Sequence, residues 1–209
     1  MGARAEGEGH DHSACVEHIA KDAQIEDAKA KIFIAVIAIN LACFLLELSF
    51  GILSHSMGVI ADSIDQLADC LVYGVVLASL SRPALFKRRA ARLGGVVQVV
   101  LASLAFIEVA RRAAMDARPP SFAGMMLMSG IAVIGNAVSH MLLKRARGGG
   151  IGVRASMVFS YIDVWANCLM MAAAVLVHVL ESTVPDLVAA SLVLAMVLFG
   201  AAEIFKMSG

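Results

Sequence analysis

Apolar and polar positions divide the chain into a polar stretch, residues 1–31, followed by six long apolar runs. A helix needs roughly 20 apolar residues to cross a bilayer. Six runs reach that length: about 32–53, 57–80, 93–113, 122–143, 155–180 and 184–206. Between them stand "SHSMG", "SRPALFKRRAAR", "MDARPPS", "KRARGGGIGVR" and "ESTVPD", which carry the residues that end helices. Two of these connections are short enough for tight hairpins. The pattern predicts an all-α integral membrane protein, six transmembrane helices over 32–206 behind a polar tail over 1–31. No C-terminal soluble domain is expected, because the chain stops at "FKMSG" directly after the sixth run. The start does not read as a secretory signal either, since residues 1–31 are polar and the first apolar run has the length of a span.

Composition strengthens the membrane reading. Hydrophobic residues make up 60% of the chain, charged residues 16%, and mean hydropathy is +0.82, far from an ordinary globular domain. Lys+Arg and Asp+Glu balance at 17 each, so no charge excess points to nucleic acid or an acidic partner. Cys15, Cys43, Cys70 and Cys168 form no CxxC pair, and the three in apolar runs read as small core residues. Lys and Arg set the orientation. One side holds Arg4, Lys21, Lys29, Lys31, Arg82, Lys87, Arg88, Arg89, Arg92, Lys144, Arg145, Arg147, Arg154 and Lys206. The other has only Arg111, Arg112 and Arg118. With an even number of spans, both termini are expected in the cytoplasm and the protein in the plasma (inner) membrane.

The second run carries the chemistry. "ADSIDQLADC" places Asp62, Asp65 and Asp69 inside an apolar stretch, where a bare carboxylate costs several kcal/mol. Asp65 and Asp69, four apart, share a helix face, and Asp62 lies close to the same stripe. Two carboxylates converging without a cation repel, so at least one holds a proton. A divalent cation, exchanging with protons, resolves the conflict. The structural alternative pairs the acids with Arg or uses them as caps, but no Lys or Arg lies in the apolar part of any run.

The fifth run supplies the other half in "SMVFSYIDVWANC": Asp163 is its one acid, with Ser160 and Asn167 within a turn and Ser156 a turn further back. Both serines read equally as the small polar residues that join membrane helices. Asn40 and Glu47 share a face of the first run; Glu47 joins a proton path or sits near the outer interface. Asn136 and His140 in the fourth run are candidates to line the cavity, and Glu108, His178 and Glu203 read as interfacial. In the tail, "HDHSACVEHIAKD" gathers His10, Asp11, His12, Cys15 and His18, a donor set suited to metal capture, although such a tail can also carry histidines by chance.

Six spans, cytoplasmic ends, and acids on the second and fifth spans resemble the cation diffusion facilitator family. "NLACFLLELSFGILSHSMGVIADSIDQLAD", residues 40–69, carries the strongest likeness, with "IDVWAN" and "VPDLVAA" further on. The resemblance implies a central transport site with two ligands four apart on span two, here Asp65 and Asp69. On span five it implies Asp163 and, four residues earlier, a position that here is Phe159, which binds no metal. Water, Ser160 or Asn167 then remain as fourth donors, with Asp62 toward the outer side. An oxygen-only site tolerates manganese, cobalt or iron better than the usual zinc site. The family commonly adds a cytoplasmic metal-binding module after span six; this sequence resembles the subset made of the spans alone.

The function so implied is divalent cation efflux, coupled to protons by alternating access, with zinc, cobalt, manganese, nickel or cadmium as substrate and no organic cofactor. The expected partners are lipid, metal ions, protons and a second copy of the chain, the homodimer on the strength of the family alone. Two other readings stand beside it: a membrane metal sensor that does not transport, and a proton or monovalent-cation pathway. Nothing suggests an enzyme, for no nucleophile–base pair or cofactor motif is legible.

Overall fold

The structure is a computed structural model that describes residues 9–79, 84–115, 118–146 and 151–208. Side chains are described from residue 24 on, apart from those at 79–88, 90–91, 116–117, 147–155, 158–159, 204 and 207–209. Six helices follow one another: α1 (Gly9–Ser54), α2 (Met57–Ser79), α3 (Ala84–Ala114), α4 (Phe122–Arg145), α5 (Ile151–Leu180) and α6 (Val184–Ser208). No strand occurs among the described residues. The architecture is an all-helical membrane bundle.

Five of the six helices are long and apolar enough to cross a membrane. The exception is α2, and its acids are the reason: any 18-residue stretch of it contains Asp62, Asp65 and Asp69. Around the outside stand exposed apolar side chains such as Ile34, Leu53, Ile107, Ile134, Trp165 and Phe199. A surface of that kind suits hydrocarbon and not water.

The helices match the expected spans at the hairpins and overrun them at the other end. The first span was expected from residue 32, yet α1 already begins at Gly9 and runs for 46 residues. Nothing interrupts it, since no Gly or Pro occurs between His10 and Phe50, and the polar stretch is rich in Ala, Glu and Lys, which favour helix. In the same way α3 starts at Ala84, nine residues before the expected span. The helical period continues through "KRRAAR" because these straight-chain residues propagate a helix as well as apolar ones.

The α1–α2 turn is set by backbone hydrogen bonds. Ser56 N–H donates to Gly51 O at 3.0 Å and His55 N–H to Ile52 O at 3.3 Å, while His55 adopts φ 58°. This is the paired-bond ending of a helix with a left-handed residue, filled here by His where Gly is usual. Ser56 then caps α2, its hydroxyl accepting from Val59 N–H at 3.1 Å. At the start of α4, Ser121 plays the same role toward Gly124 N–H.

Among the described residues, α2 alone packs against all the other helices. The larger apolar core surrounds its first half and joins α3, α4, α5 and α6 through residues such as Met57, Ala105, Met128, Ala174 and Val193. A smaller core of Phe33, Val36, Tyr73, Leu143 and Ala146 ties α1, α2 and α4 together at the end where α2 finishes. That leaves the acids of α2 at the centre of the bundle, between the hairpin end and the end where α2, α4 and α6 stop.

Candidate metal centre

Asp65 and Asp69 lie about 12 Å and 18 Å along α2 from Met57, at 1.5 Å rise per residue, near the middle of a ~30 Å hydrocarbon layer. Asp69 is buried and Asp65 partly so. From α5, Asp163, 6% exposed, brings its carboxyl into hydrogen-bonding range of both Asp65 and Asp69. Tyr73, a turn beyond Asp69 and fully buried, donates its hydroxyl to Asp69 Oδ2 at 2.7 Å. Its ring rests against Phe33, with centroids 6.3 Å apart. The described ion pairs all lie at the ends of α3 and α6, so no Lys or Arg among them neutralises these carboxyls.

A cavity of about 270 Å³ reaches the three aspartates from one side. Its walls are α2, α3, α5 and α6, and along α6 they extend out to Glu203 and Lys206, which are exposed and paired at 2.6 Å. Gln98 of α3, 3% exposed and with Oε1 unpartnered, faces the same space. The cleft therefore opens toward the end at which α6 finishes.

The hairpin end is tied together by hydrogen bonds, and the cavity at the aspartates has no lining residue there. Asp186, in the first turn of α6, accepts from Ser56 Oγ at 2.6 Å, Met57 N–H at 2.7 Å and Gly58 N–H at 3.0 Å. One carboxylate thereby satisfies the first free N–H groups of α2, where the helix dipole favours a negative charge. Gly58 permits this contact. A Cβ there would run into Met170 Cε and stand 2.9 Å from Asp186 Oδ1. Beside it, Arg112 Nη1 donates to His55 O at 2.5 Å and Ser121 N–H to Ser54 O at 3.1 Å, so α3 and α4 join the same seal.

The other sequence candidates take distinct places. Asp62 lies a turn nearer the hairpin end, buried, and accepts from Asn167 Nδ2 at 3.3 Å. Asn167 therefore stands beside Asp62, and its amide also donates to Asp163 O at 3.1 Å. Ser160 donates to Asn136 O at 3.1 Å, which is the helix-joining role. Asn136 accepts from Gln66 Nε2 at 3.3 Å, and neither it nor His140 lines the cavity. Glu47 is 1% exposed and so faces the inside of the bundle. The side chains of His10, Asp11, His12, Cys15 and His18, and that of Phe159, lie outside the described residues. Among the described residues no three His, Cys, Asp or Glu side chains already surround a common point in the manner of a closed metal cage. The three aspartates instead meet pairwise through Asp163.

Residues 33–85 match the family model described as the cation efflux transmembrane domain. The match supports a cation diffusion facilitator. It takes in the apolar half of α1, all of α2 and the first residues of α3, hence Glu47, Asp62, Asp65 and Asp69 but not Asp163. It supports cation efflux across a membrane as the general function, and members of the family are transporters, not enzymes. No curated protein matches the chain.

Tyr73, Gln66 and Gln98 do not stand out along the chain as site residues. A signal was present for each. Tyr73 follows Asp69 by four residues on the same face, and the two glutamines are isolated amides in apolar runs. Reading them as site residues required knowing which helix each face meets.

Proposed function

We propose that this chain exports a divalent transition-metal cation in exchange for protons, by alternating access across Asp65, Asp69 and Asp163. One-sided access carries the reading: a cleft reaches the three carboxyls from the end where α6 finishes, while Asp186 and its donors close the hairpin end. With Lys and Arg concentrated at the cleft end, that end faces the cytoplasm, and the arrangement is an inward-open state. A cation arriving there meets an all-oxygen donor set, which suits manganese, cobalt or zinc with water completing the shell. It displaces the protons the carboxyls hold in its absence. Rearrangement then opens the hairpin end, where reprotonation releases the ion.

The plasma membrane as location, cytoplasmic termini and a homodimer belong to the same proposal, the dimer resting on family likeness. So does a tail over 1–31 that captures metal through His10, Asp11, His12, Cys15 and His18. Deleting residues 1–22 is expected to raise the apparent KM for metal while leaving maximal flux near normal; an unchanged KM removes that role.

The test is metal-driven proton flux in proteoliposomes of purified protein, comparing Zn, Co, Mn, Ni and Cd, with Asp65→Ala and Asp163→Ala alongside. Flux in the wild type that both substitutions abolish is the expected result. Tight metal binding without flux would transfer the protein to sensing. The pairwise contacts of Asp163 with Asp65 and Asp69 favour one further reading, a proton or monovalent-cation pathway. Proton flux that divalent metal neither drives nor inhibits would establish it.

A further inference from the structure

Between the central aspartates and the closed hairpin end lies another group of buried oxygen donors. Gly51 brings α1 against α2 at backbone distance, for a Cβ there would stand 2.8 Å from Ile60 Cγ1 and 3.0 Å from Ile60 N. One turn further into the bundle along the two antiparallel helices come Glu47 and Asp62, whose carboxyls are within hydrogen-bonding range of each other. On α5, Met170 touches the Gly58 position, and Asn167, one turn inward, reaches Asp62. The three side chains therefore sit at one level, a turn outward of Asp65 and Asp163.

Their hydrogen bonding is incomplete. Glu47 is 1% exposed, yet neither of its carboxyl oxygens receives a hydrogen bond from a donor group. Asn167 is fully buried; its amide nitrogen is used twice, and its Oδ1 has no partner. A carboxylate serving structure has donors, as Asp186 has three. Buried oxygens without donors, converging from three helices, are a cation's environment. None of the three lines the cleft that reaches the central aspartates.

We propose that Glu47, Asp62 and Asn167 form a second cation-binding site, which takes the ion from the central aspartates and passes it to the hairpin end. The inference rests on the transport reading and adds the outward half of the route. Two carboxylates balance a divalent charge, the Asn167 carbonyl oxygen gives a third ligand, and the set favours the same oxygen-tolerant cations. Asp62 is one helical turn, about 5 Å, from Asp65, so two divalent ions repel strongly if both levels are filled. The levels are used in turn.

The test combines Co2+ binding to the purified full chain with Co2+ flux in proteoliposomes. Asp65→Asn with Asp163→Asn disables the central level. The doubly substituted protein is expected to retain weaker Co2+ binding, which adding Glu47→Gln removes. Glu47→Gln alone is expected to slow Co2+ flux at least about tenfold while wild-type Co2+ affinity stays within about twofold, since ligand-shell losses are commonly of tenfold size or more. Should Glu47→Gln not fold, Asn167→Ala takes its place and is expected to weaken the residual binding about tenfold. No residual Co2+ binding, or residual binding untouched by either substitution in a wild type that transports, overturns the second site and leaves the transport reading intact. A wild type that binds Co2+ at the central level but moves none removes the transport reading, and the relay with it.

Discussion

Two buried carboxylates reach α2 from neighbouring helices, Asp186 from α6 and Asp163 from α5, and they differ in what answers their charge. At the hairpin end, Asp186 is met by one hydroxyl and two backbone N–H groups, all within 3.0 Å. In the middle, Asp163 meets chiefly other carboxyls, at Asp65 and Asp69, and its Oδ2 receives no hydrogen bond from a donor group. Burial is alike in the two places, so burial does not identify a site. Donors do. A satisfied carboxylate holds helices together, whereas carboxylates facing one another hold protons or a cation.

Substituting the two acids in turn separates their roles. Asp163→Ala is expected to cut metal-driven flux by at least about 100-fold, the scale of losing a ligand central to the site, with thermal melting in detergent little changed. Asp186→Ala is expected to do the opposite in kind. It leaves Met57 and Gly58 N–H groups buried without an acceptor and costs about 3 kcal/mol, visible as a lowered melting temperature. If Asp186→Ala melts like the wild type, the clasp is not what closes the hairpin end.

Smaller changes sharpen the same contrast. Tyr73→Phe removes the hydroxyl that orients Asp69 and is expected to weaken metal affinity about tenfold by equilibrium binding, in line with losing a partner that positions a ligand. Unchanged affinity would reduce Tyr73 to packing against Phe33. The smallest effect is expected from Ser160→Ala, about 0.6 kcal/mol of stability, the usual worth of a hydrogen bond between membrane helices. A large loss of flux without a loss of stability there would instead make Ser160 a donor to the cation.

Much of this was legible along the chain because membrane helices are written in long runs. The starts of α2, α4 and α6 agree with the apolar pattern, since Ser56, Ser121 and the "STVPD" turn punctuate it. The early starts of α1 and α3 were not, because polarity marks where a span leaves the bilayer and says nothing of where its helix ends. Asp65, Asp69 and Asp163 stood out as acids in apolar surroundings. Glu47 stood out less, being nearer the end of its run, and Asp186 was not singled out within "VPDLVAA", since sequence could not tell a clasp from a site.

The number of helices, the membrane setting, the crowding of acids on one face of α2 and the one further acid on α5 can all be read along the chain. Those follow from composition and from the fixed geometry of a helix, which are local. Which acids meet depends on how the helices pack. That packing set Asp163 between Asp65 and Asp69, joined Glu47 to Asp62 and Asn167, and gave Asp186 to the start of α2. The physical reason is that a carboxylate's role depends on the partner it is buried against, and that partner arrives from another helix, in the Asp186–Met57 contact from 129 residues away.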